Sequence, residues 1–478
     1  MSGRGFASCV RVSQPKTDDS LLHVRDAAIA GRFVRLTRER APTIVCGGMK
    51  ILVIGGGGRE HALVWKLRQS PRVERIWCAP GNGGIAQDAE CRAVDVKDVG
   101  AILSLAERLK PDLTVVGPEL PLVLGVADEF ERRGMRVIGP SKQAAQLEGS
   151  KVFAKEFMER HGIPTASVYG VHDSPGDAYS ALCAVDWPAV IKADGLCGGK
   201  GVLVTSSPDE ATAFIERLME KREFGESGAR VLMEEALEGE ELSFIVLTDG
   251  EYILPLVPTR DHKRVFDGNE GPNTGGMGAY STDDLVPPPL EKTILEVIAK
   301  PTIRALAAEG RPYKGFLYFG LMLTRDGPKV LEFNCRMGDP EAQPIVVRMG
   351  FDLVEAFEGV CGGNLDKVKA SWKGVASVCV VMASGGYPGR FETGKRIEGV
   401  ESVSGLADVV VFHAGSRLDG AIYYTSGGRV LGVTAAGLAL EAAIHSCYEA
   451  VSKIRFEGAH YRKDIGAQWL SRTRAAGD

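Results

Sequence analysis

The stretch ILVIGGGGREHALVWKL, Ile51–Leu67, decides which fold the chain begins with. Ile51–Ile54 is a continuous apolar run that stops at glycine, the mark of a short buried strand. After Gly58, the spacing of Ala62, Leu63, Trp65 and Leu67 predicts a helix with one buried face. The turn between them offers backbone N–H groups and a helix N-terminus to an anion. A dinucleotide fingerprint needs a third glycine where helix packs on strand. Counted from Gly55 that position is Glu60, and counted from Gly56 it is His61. The next strand, Arg75–Cys78, runs into CAPGNGG without the carboxylate that would hold a ribose hydroxyl. The turn therefore suits a phosphate better than a dinucleotide, and a ligand-free strand-to-helix turn stands as the plainer alternative.

Bulk properties bound the rest. A chain of 478 residues accommodates two to four domains. A net charge of −5 gives no overall drive toward nucleic acid, and no apolar run has the length of a membrane span. The 10 cysteines are scattered with no C-x-x-C pair, which excludes a zinc or disulfide framework and fits a reducing cytoplasm. Residues 1–48 carry no clear strand or helix period and end in CGG before Met49. They lack a long apolar segment of the secretory kind, and Asp18, Asp19, Asp26 and Glu39 interrupt the basic character of a transit peptide. The plain reading is a disordered tail, or upstream sequence preceding a start at Met49.

Working outward, strands alternate with helices from Met49 to about Ser150, as an open parallel α/β sheet requires. Ligands gather at the carboxyl ends of such strands, here marked by APGN, GPE and GPS. Ser150–Pro164 reads as an amphipathic helix closed by Gly162 and Pro164. The strands AVIKA, GVLVT, RVLMEEA and LSFIVLTDG follow, with a helix near Asp209–Glu220. A helical stretch, Leu290–Glu309, leads to GFLYFGLMLTRDG and KVLEFN, and a further α+β module starts at about residue 373.

Three segments carry the chemistry. Ile191–Thr205, IKADGLCGGKGVLVT, sets Lys192 at a strand end and Lys200 in a glycine-rich loop with Gly198, Gly199 and Gly201. It is not a P-loop, because Lys200 is followed by glycine. Such a loop can fold over a triphosphate or remain a solvated hairpin tip. In MEEALEGEE, Glu234, Glu235 and Glu241 form either a solvated acidic turn or a hinge over adenine with a carboxylate on the ribose. Lys329–Pro344, KVLEFNCRMGDPEAQP, is the most informative. Alternation puts Glu332 and Asn334 on one face and Leu331 and Phe333 on the other. Two oxygen ligands at i and i+2 suit magnesium, which shares its remaining positions with phosphates and water. Arg336, Asp339 and Glu341 crowd the end of that strand, and Arg260–Tyr280 adds a charged turn with another glycine-rich loop.

Together with GGGGREHA, APGN, VGPE, QLEGSK, DHKR, GPNTGGMGAYS, GFLYFGLM, GGYPG and RKDIG, these segments resemble the ATP-grasp superfamily and, within it, the glycinamide ribonucleotide synthetase family. The likeness runs from Met49 to about Gly466. Cys197 and Gly198 depart from the two small residues usual in the family, and Met337 stands where Phe is expected. The resemblance implies a multidomain α/β and α+β chain. Residues 49–150 would be an open parallel α/β domain for phosphoribosylamine. Residues 151–372 would be an ATP-grasp domain with a small lid at about 164–237, and residues 373–478 a C-terminal α+β domain. It also implies ATP-dependent joining of glycine to 5-phospho-ribosylamine through a glycyl phosphate, in a cytoplasmic enzyme acting as a monomer or weak dimer. Glu332 and Asn334 would hold Mg2+ or Mn2+. Lys151, Lys192 and Lys200 would neutralise the phosphates, with Gly198, Gly199 and Gly201 over them. Glu234, Glu235 and Leu237 would receive adenine and Glu241 the ribose. Gly56, Gly57 and Gly58 would hold the 5-phosphate, with Asn82 and Glu119 at the sugar. Asp261, Lys263 and Asp339 would meet glycine, and Arg336, Lys200 and Asp339 would act in catalysis.

Three rivals remain at this level. Another ATP-grasp ligase or carboxylase would not depend on glycine. An NAD-dependent oxidoreductase is opposed by the failed fingerprint. A non-catalytic nucleotide-binding protein is opposed by Lys192, Lys200, Glu332, Asn334 and Arg336 occurring together.

Overall fold

The first apolar run forms the centre of a parallel sheet. The computed structural model describes residues 48–471, so the tail expected over residues 1–48 lies, but for Gly48, outside the described residues. Strands β1 (Met49–Gly55), β2 (Val73–Pro80), β3 (Glu90–Cys91), β4 (Leu113–Val116) and β5 (Val137–Ile138) stand in the order β3-β2-β1-β4-β5. The order reverses direction between β1 and β4, where the carboxyl ends of such strands leave a crevice. Helix α1 (Gly58–Leu67) starts at that crevice. The two-residue strand β3 carries no sequence signal of its own, and the helical stretch after Glu119 splits in two at Gly125, whose φ is 94°.

A four-stranded antiparallel sheet follows, ordered β6-β9-β7-β8, from β6 (Val168–His172), β7 (Ala189–Ala193), β8 (Val202–Thr205) and β9 (Val231–Glu235). It has its own apolar cluster, in which Ile191 and Met233 pack on Phe214 and Leu218. Its glycine-rich loop joins β7 to β8. A second antiparallel sheet, ordered β11-β10-β16-β17, is built from β10 (Glu240–Thr248), β11 (Ile253–Pro255), β16 (Gly315–Thr324) and β17 (Gly327–Asn334). The connection from β9 to β10 carries Leu237 and is the hinge between the two sheets.

The regular alternation expected along β17 is broken. Gly320 pairs with Glu332 while Leu321 pairs with Val330, so Leu331 is an extra residue, a bulge. Val330 and Phe333 are buried and Leu331 is not. Glu332 and Asn334 keep their common side, and the carbonyl of Leu331 is turned toward Lys192, which donates to it at 3.0 Å.

The C-terminal sheet is ordered β12-β15-β18-β23-β20. Its strands β18 (Ala376–Ala383), β20 (Val409–His413) and β23 (Arg429–Gly437) lie in the module read from the sequence. The other two, β12 (Arg260–Asp261) and β15 (Gly278–Ser281), come from far earlier in the chain. The small hairpin of β13 (Arg264–Phe266) and β14 (Glu270–Asn273) lies between them in sequence, and β19 (Arg396–Ile397), β21 (Ser416–Asp419) and β22 (Ile422–Thr425) form a separate three-stranded sheet. The module from residue 373 is therefore completed by two strands that flank DHKR and GPNTGG.

A buried ion triad ties the lid-like sheet to the rest. Glu234 on β9 bonds Lys192 on β7 and lies 2.7 Å from Lys155 of the helix Lys151–Arg160. Lys155 also donates to Thr165 Oγ1 and to the carbonyl of Ala166. Removing one partner of such a set leaves buried charge uncompensated. Glu234→Gln is expected to destabilise the protein by about 3–5 kcal/mol. A fall in the midpoint of chemical denaturation, with unchanged cooperativity, checks this.

Candidate active site

The site is built where three sheets end. From the N-terminal sheet come Gly55–Gly58 and Glu119. Glu60 is the N3 residue of α1, and its carboxylate accepts the Gly57 N–H at 2.5 Å, the N3-to-N-cap half of a capping box. The chain thus supplies its own anion to that helix N-terminus. The glycines are packing requirements as well. A Cβ at Gly56 would stand 2.5 Å from the carbonyl oxygen of Gly81, and one at Gly58 would stand 2.5 Å from Gln343. The expectation that Gly56, Gly57 and Gly58 present free amides to a phosphate is corrected to this extent: the Gly57 amide is already bonded. Asn82 is corrected more fully. Its Nδ2 donates to the carbonyls of Gly56 and His413, and its Oδ1 accepts from Gly84 and Ile85. That uses the hydrogen-bonding capacity of the side-chain amide, so the Asn82 side chain locks loops together in the ligand-free chain.

Glu119 points at the end of β17. Arg336 bonds Glu119 Oε2 at 3.2 Å and Glu148 Oε1 at 2.8 Å. Glu148 also accepts the Cys335 N–H at 2.7 Å. Burial opposes ionisation of Glu119, but Arg336 and Arg59 outweigh it and hold its carboxyl at about 2. The buried Glu148 is pushed up by desolvation. The Asn334 amide turns its nitrogen to Glu148 Oε1 at 2.9 Å and to the Phe333 carbonyl at 3.2 Å, which directs its oxygen the other way.

Glu332 gathers the cations. Burial works to raise its pKa, yet Lys263, Lys192, Lys151 and Arg336 together lower it, so it stays a carboxylate. Lys151, at the start of its helix, donates to the Gly195 carbonyl at 2.8 Å. Lys263 lies 3.0 Å from Glu241 and 3.7 Å from Glu332. Burial alone would lower the Lys263 pKa, but Glu241, Asp261 and Glu332 raise it well above its ordinary value. Asp261 is the opposite case. Desolvation, reinforced by Glu341, Glu241 and Glu332 against the pull of Lys263, pushes it up to about 8. Glu341 is buried and accepts from Ser243, whose hydroxyl meets Tyr318 at 2.9 Å. Carboxylates therefore outnumber their partners on this side of the cleft, which suits a bound cation.

The other expected residues divide. Glu235 and Leu237 lie at the hinge, where Glu235 accepts the Ser167 N–H at 3.0 Å. The Glu234 side chain faces inward to its two lysines, so only its backbone is available to a base. Asp339, expected at a substrate ammonium, has Oδ1 bonded to Gln343 at 2.7 Å and Oδ2 to Arg429 at 3.1 Å. Arg429, ahead of Arg59 and Arg336, lowers its pKa against the effect of burial. Lys200 lies apart from Lys151 and Lys192 in its contacts, donating to the Pro388 carbonyl at 2.9 Å. Gly198 and Gly199 take φ of 57° and 78°. Four participants carry no role in the sequence reading: Glu148, Glu341, Lys155 and Arg429. Glu148 lies inside QLEGSK and Glu341 follows Asp339, so both were within sight. Lys155 and Arg429 have partners far off in sequence, and only the fold joins them.

Two antiparallel sheets hinged at Glu235–Glu240, one with a glycine-rich loop and lysines, the other with Glu332, Asn334 and Arg336, define the ATP-grasp class. Residues 49–148, 149–342 and 377–468 match, in turn, the N domain, the ATP-grasp (A) domain and the C domain of phosphoribosylglycinamide synthetase. The chain belongs to the phosphoribosylglycinamide synthetase family. Among its relatives, the phosphoribosylamine–glycine ligase of Allochromatium vinosum is 49% identical over 430 residues, covering 89% of this chain and 100% of that one. The ligase of the same name from Pseudomonas aeruginosa is 49% identical over 430 residues, covering 89% and 99%. The solved phosphoribosylamine–glycine ligase of Thermotoga maritima superposes with a TM-score of 0.74 at 34% identity, covering 87% of this chain and all of that one. The biotin carboxylase domain of Hydrogenobacter thermophilus 2-oxoglutarate carboxylase, at 18% identity and TM-score 0.68 over 86% of this chain and 91% of that one, shares the fold.

Asp261 gives a pH test. An acid whose folded pKa is raised favours the folded state while protonated. Its contribution is full below its ordinary 3.8 and is lost as pH rises toward about 8. Asp261→Asn should therefore flatten the decline of Tm over that range in ligand-free protein, as thermal scans of both proteins at matched ionic strength would reveal.

Proposed function

We propose that the chain joins glycine to 5-phospho-ribosylamine with ATP, giving glycinamide ribonucleotide, ADP and phosphate. The observation that carries this reading is the gathering of Lys263, Lys192, Lys151 and Arg336 about Glu332 in one cleft, with Lys263 3.7 Å from its carboxylate. The family membership, with relatives aligned over their whole length, names the substrates.

In the first step a glycine carboxylate oxygen attacks the γ-phosphorus of ATP, the bond to the β-phosphate oxygen breaks, and ADP is released from the glycyl phosphate. In the second, the amine nitrogen attacks the glycyl carbonyl, a C–N bond forms, the C–O bond to phosphate breaks, and the amine loses a proton. Such transfers need charge neutralisation and alignment more than acid–base groups. Lys151 and Lys192 stand on a helix and a strand, fixed points for phosphate charge. Lys200 uses one ammonium N–H on Pro388 and has two for phosphate. The hinge at Glu234–Leu237 receives adenine and Glu241 the ribose. Asp261, beside Lys263, is the carboxylate for the glycine ammonium, and that cation would draw its pKa down. Arg336, fixed between Glu119 and Glu148, stabilises charge on the transferring phosphoryl group. The amine substrate lies at the crevice between β1 and β4, with its phosphate beside Gly56 and Gly58, where the Gly57 amide is taken by Glu60, and its sugar near Glu119.

Magnesium or manganese fits the donor set. Among the described residues no three His, Cys, Asp or Glu side chains cluster as a metal cage. One carboxylate and one amide oxygen, Glu332 and Asn334, are the small protein share such an ion takes when phosphates supply the rest. The ion supplies charge neutralisation between the phosphates. We assign the phosphoribosylamine domain to residues 49–150, the ATP-grasp domain to 151–372 with its lid at about 164–237, and the C-terminal domain to 373–478. The enzyme acts in the cytoplasm as a monomer or weak dimer. The cysteines of the described residues are free thiols, as a reducing compartment keeps them. Among the described residues no helix is long and apolar enough to cross a membrane.

ADP release with ATP, Mg2+ and glycine, with and without phosphoribosylamine generated in the cuvette, tests the reaction. Full turnover should require both glycine and the amine. Turnover that ignores glycine would reject the assignment. Glu332→Ala should lower turnover by about 100-fold or more with circular dichroism unchanged, and near-parental turnover would remove Glu332 from the metal site.

A further inference from the structure

The glycine-rich loop between β7 and β8 does not end in solvent. Lys200 donates to the carbonyl of Pro388, and Gly199 lies so close to Thr274 that a Cβ there would stand 2.9 Å from its carbonyl oxygen. Thr274 and Pro388 come from different segments, GPNTGG and GGYPG, and both segments are held by the C-terminal sheet. The Gly275 N–H donates to the Tyr387 hydroxyl at 3.1 Å, and the Gly275 carbonyl accepts from Arg429 Nη1 at 2.5 Å. Tyr387 lies flat against Gly428, where a Cβ would stand 2.4 Å from its ring. Arg429, the next residue, also bonds the backbone carbonyl of Asp339 at 2.5 Å and its carboxylate at 3.1 Å. One peptide, Gly275, is thus gripped on both sides, and the same guanidinium fixes it to the segment that follows β17.

We propose that Tyr387 and Arg429 are positioning residues that build the seat on which the lid loop closes, so that the C-terminal sheet determines whether ATP cleavage is coupled to ligation. This rests on the reading that the loop covers the phosphates of ATP. A loop containing Gly198, Gly199 and Gly201 loses much backbone freedom when ordered, so a pre-set landing surface matters to it. Lys151 and Lys192 lie on a helix and a strand and do not need the seat. Without it, ATP still binds and glycine is still phosphorylated, but water reaches the glycyl phosphate. Water then attacks in place of the amine: glycine and phosphate return, and ADP has formed without product.

The test uses the full chain and counts ADP and glycinamide ribonucleotide in the same reaction. The parent should give one ADP per product. Tyr387→Phe, which deletes a single oxygen, and Lys200→Ala should each give about two or more ADP per product, the signature of an acyl phosphate lost to water. The double variant should be no worse than the worse single one, because both contacts serve one closed position of the loop. A ratio of one in both single variants overturns the proposal, whatever the rates. Arg429→Lys should retain more coupling than Arg429→Gln; equal coupling in two folded proteins overturns the role of Arg429. If an Arg429 variant shows no thermal transition, Tyr387→Phe and Lys200→Ala decide alone. Should the parent make no product from glycine and the amine, the reaction assigned above falls, and the seat is then judged by proteolysis. A non-hydrolysable ATP analogue with Mg2+ should protect loop 195–201 in the parent and fail to protect it in Tyr387→Phe. Equal protection overturns the proposal.

Discussion

Arg336 is the joint on which the site turns. Its guanidinium reaches back from the end of β17 to Glu119 of the N-terminal sheet and to buried Glu148 before the helix Lys151–Arg160. A charge this enclosed is stable only with partners, and the partners come from separate parts of the chain. The pairing therefore fixes distance as well as charge. It holds the crevice between β1 and β4 against the strand that carries Glu332 and Asn334. The width of that gap is therefore set by an ion pair and not by loops.

Around this joint the carboxylates are too many for the cations present. Asp261 is pushed toward protonation while Glu332, on a strand of another sheet facing the same cleft, is held ionised. The difference lies in neighbours. Glu332 sees four basic side chains, while Asp261 sees Lys263 and a ring of acids. A site so arranged gains most from an incoming cation where the acid excess is greatest, which gives the ligands an order of electrostatic preference before any shape is considered.

Much of this was legible in the sequence, because the informative features are local. The parallel sheet followed from apolar runs ending in glycine, and Glu332 with Asn334 followed from a two-residue period. The bulge at Leu331 was not legible. It depends on which residue of β16 faces which residue of β17, and a single strand does not carry that information. Asn82 looked like a ligand because it follows glycine at a strand end. Its actual partners, Gly56 and His413, are contributed by loops that only the folded chain brings near. Lys155 and Arg429 were passed over for the same reason. Asp339 was seen as a candidate for the substrate ammonium, but that a distant arginine, Arg429, holds its carboxylate was not legible.

The borrowed strands of the C-terminal sheet set the order in which the chain can be completed. Ser281 pairs with Ser377, so β15 has no neighbour on that side until β18 has been made, and β18 in turn pairs with β23, where Ala376 meets Gly437. A chain growing from its N-terminus can settle its first parallel sheet early, since those strands pair with one another. The strands flanking DHKR and GPNTGG must wait. The segment that carries Asp261 and Lys263 thus waits for strand β18 of the C-terminal module. A truncated or stalled chain carries the Glu332 strand but not the sheet that holds Asp261 and Lys263 beside it, so incomplete products of synthesis lack this acid-rich wall of the cleft.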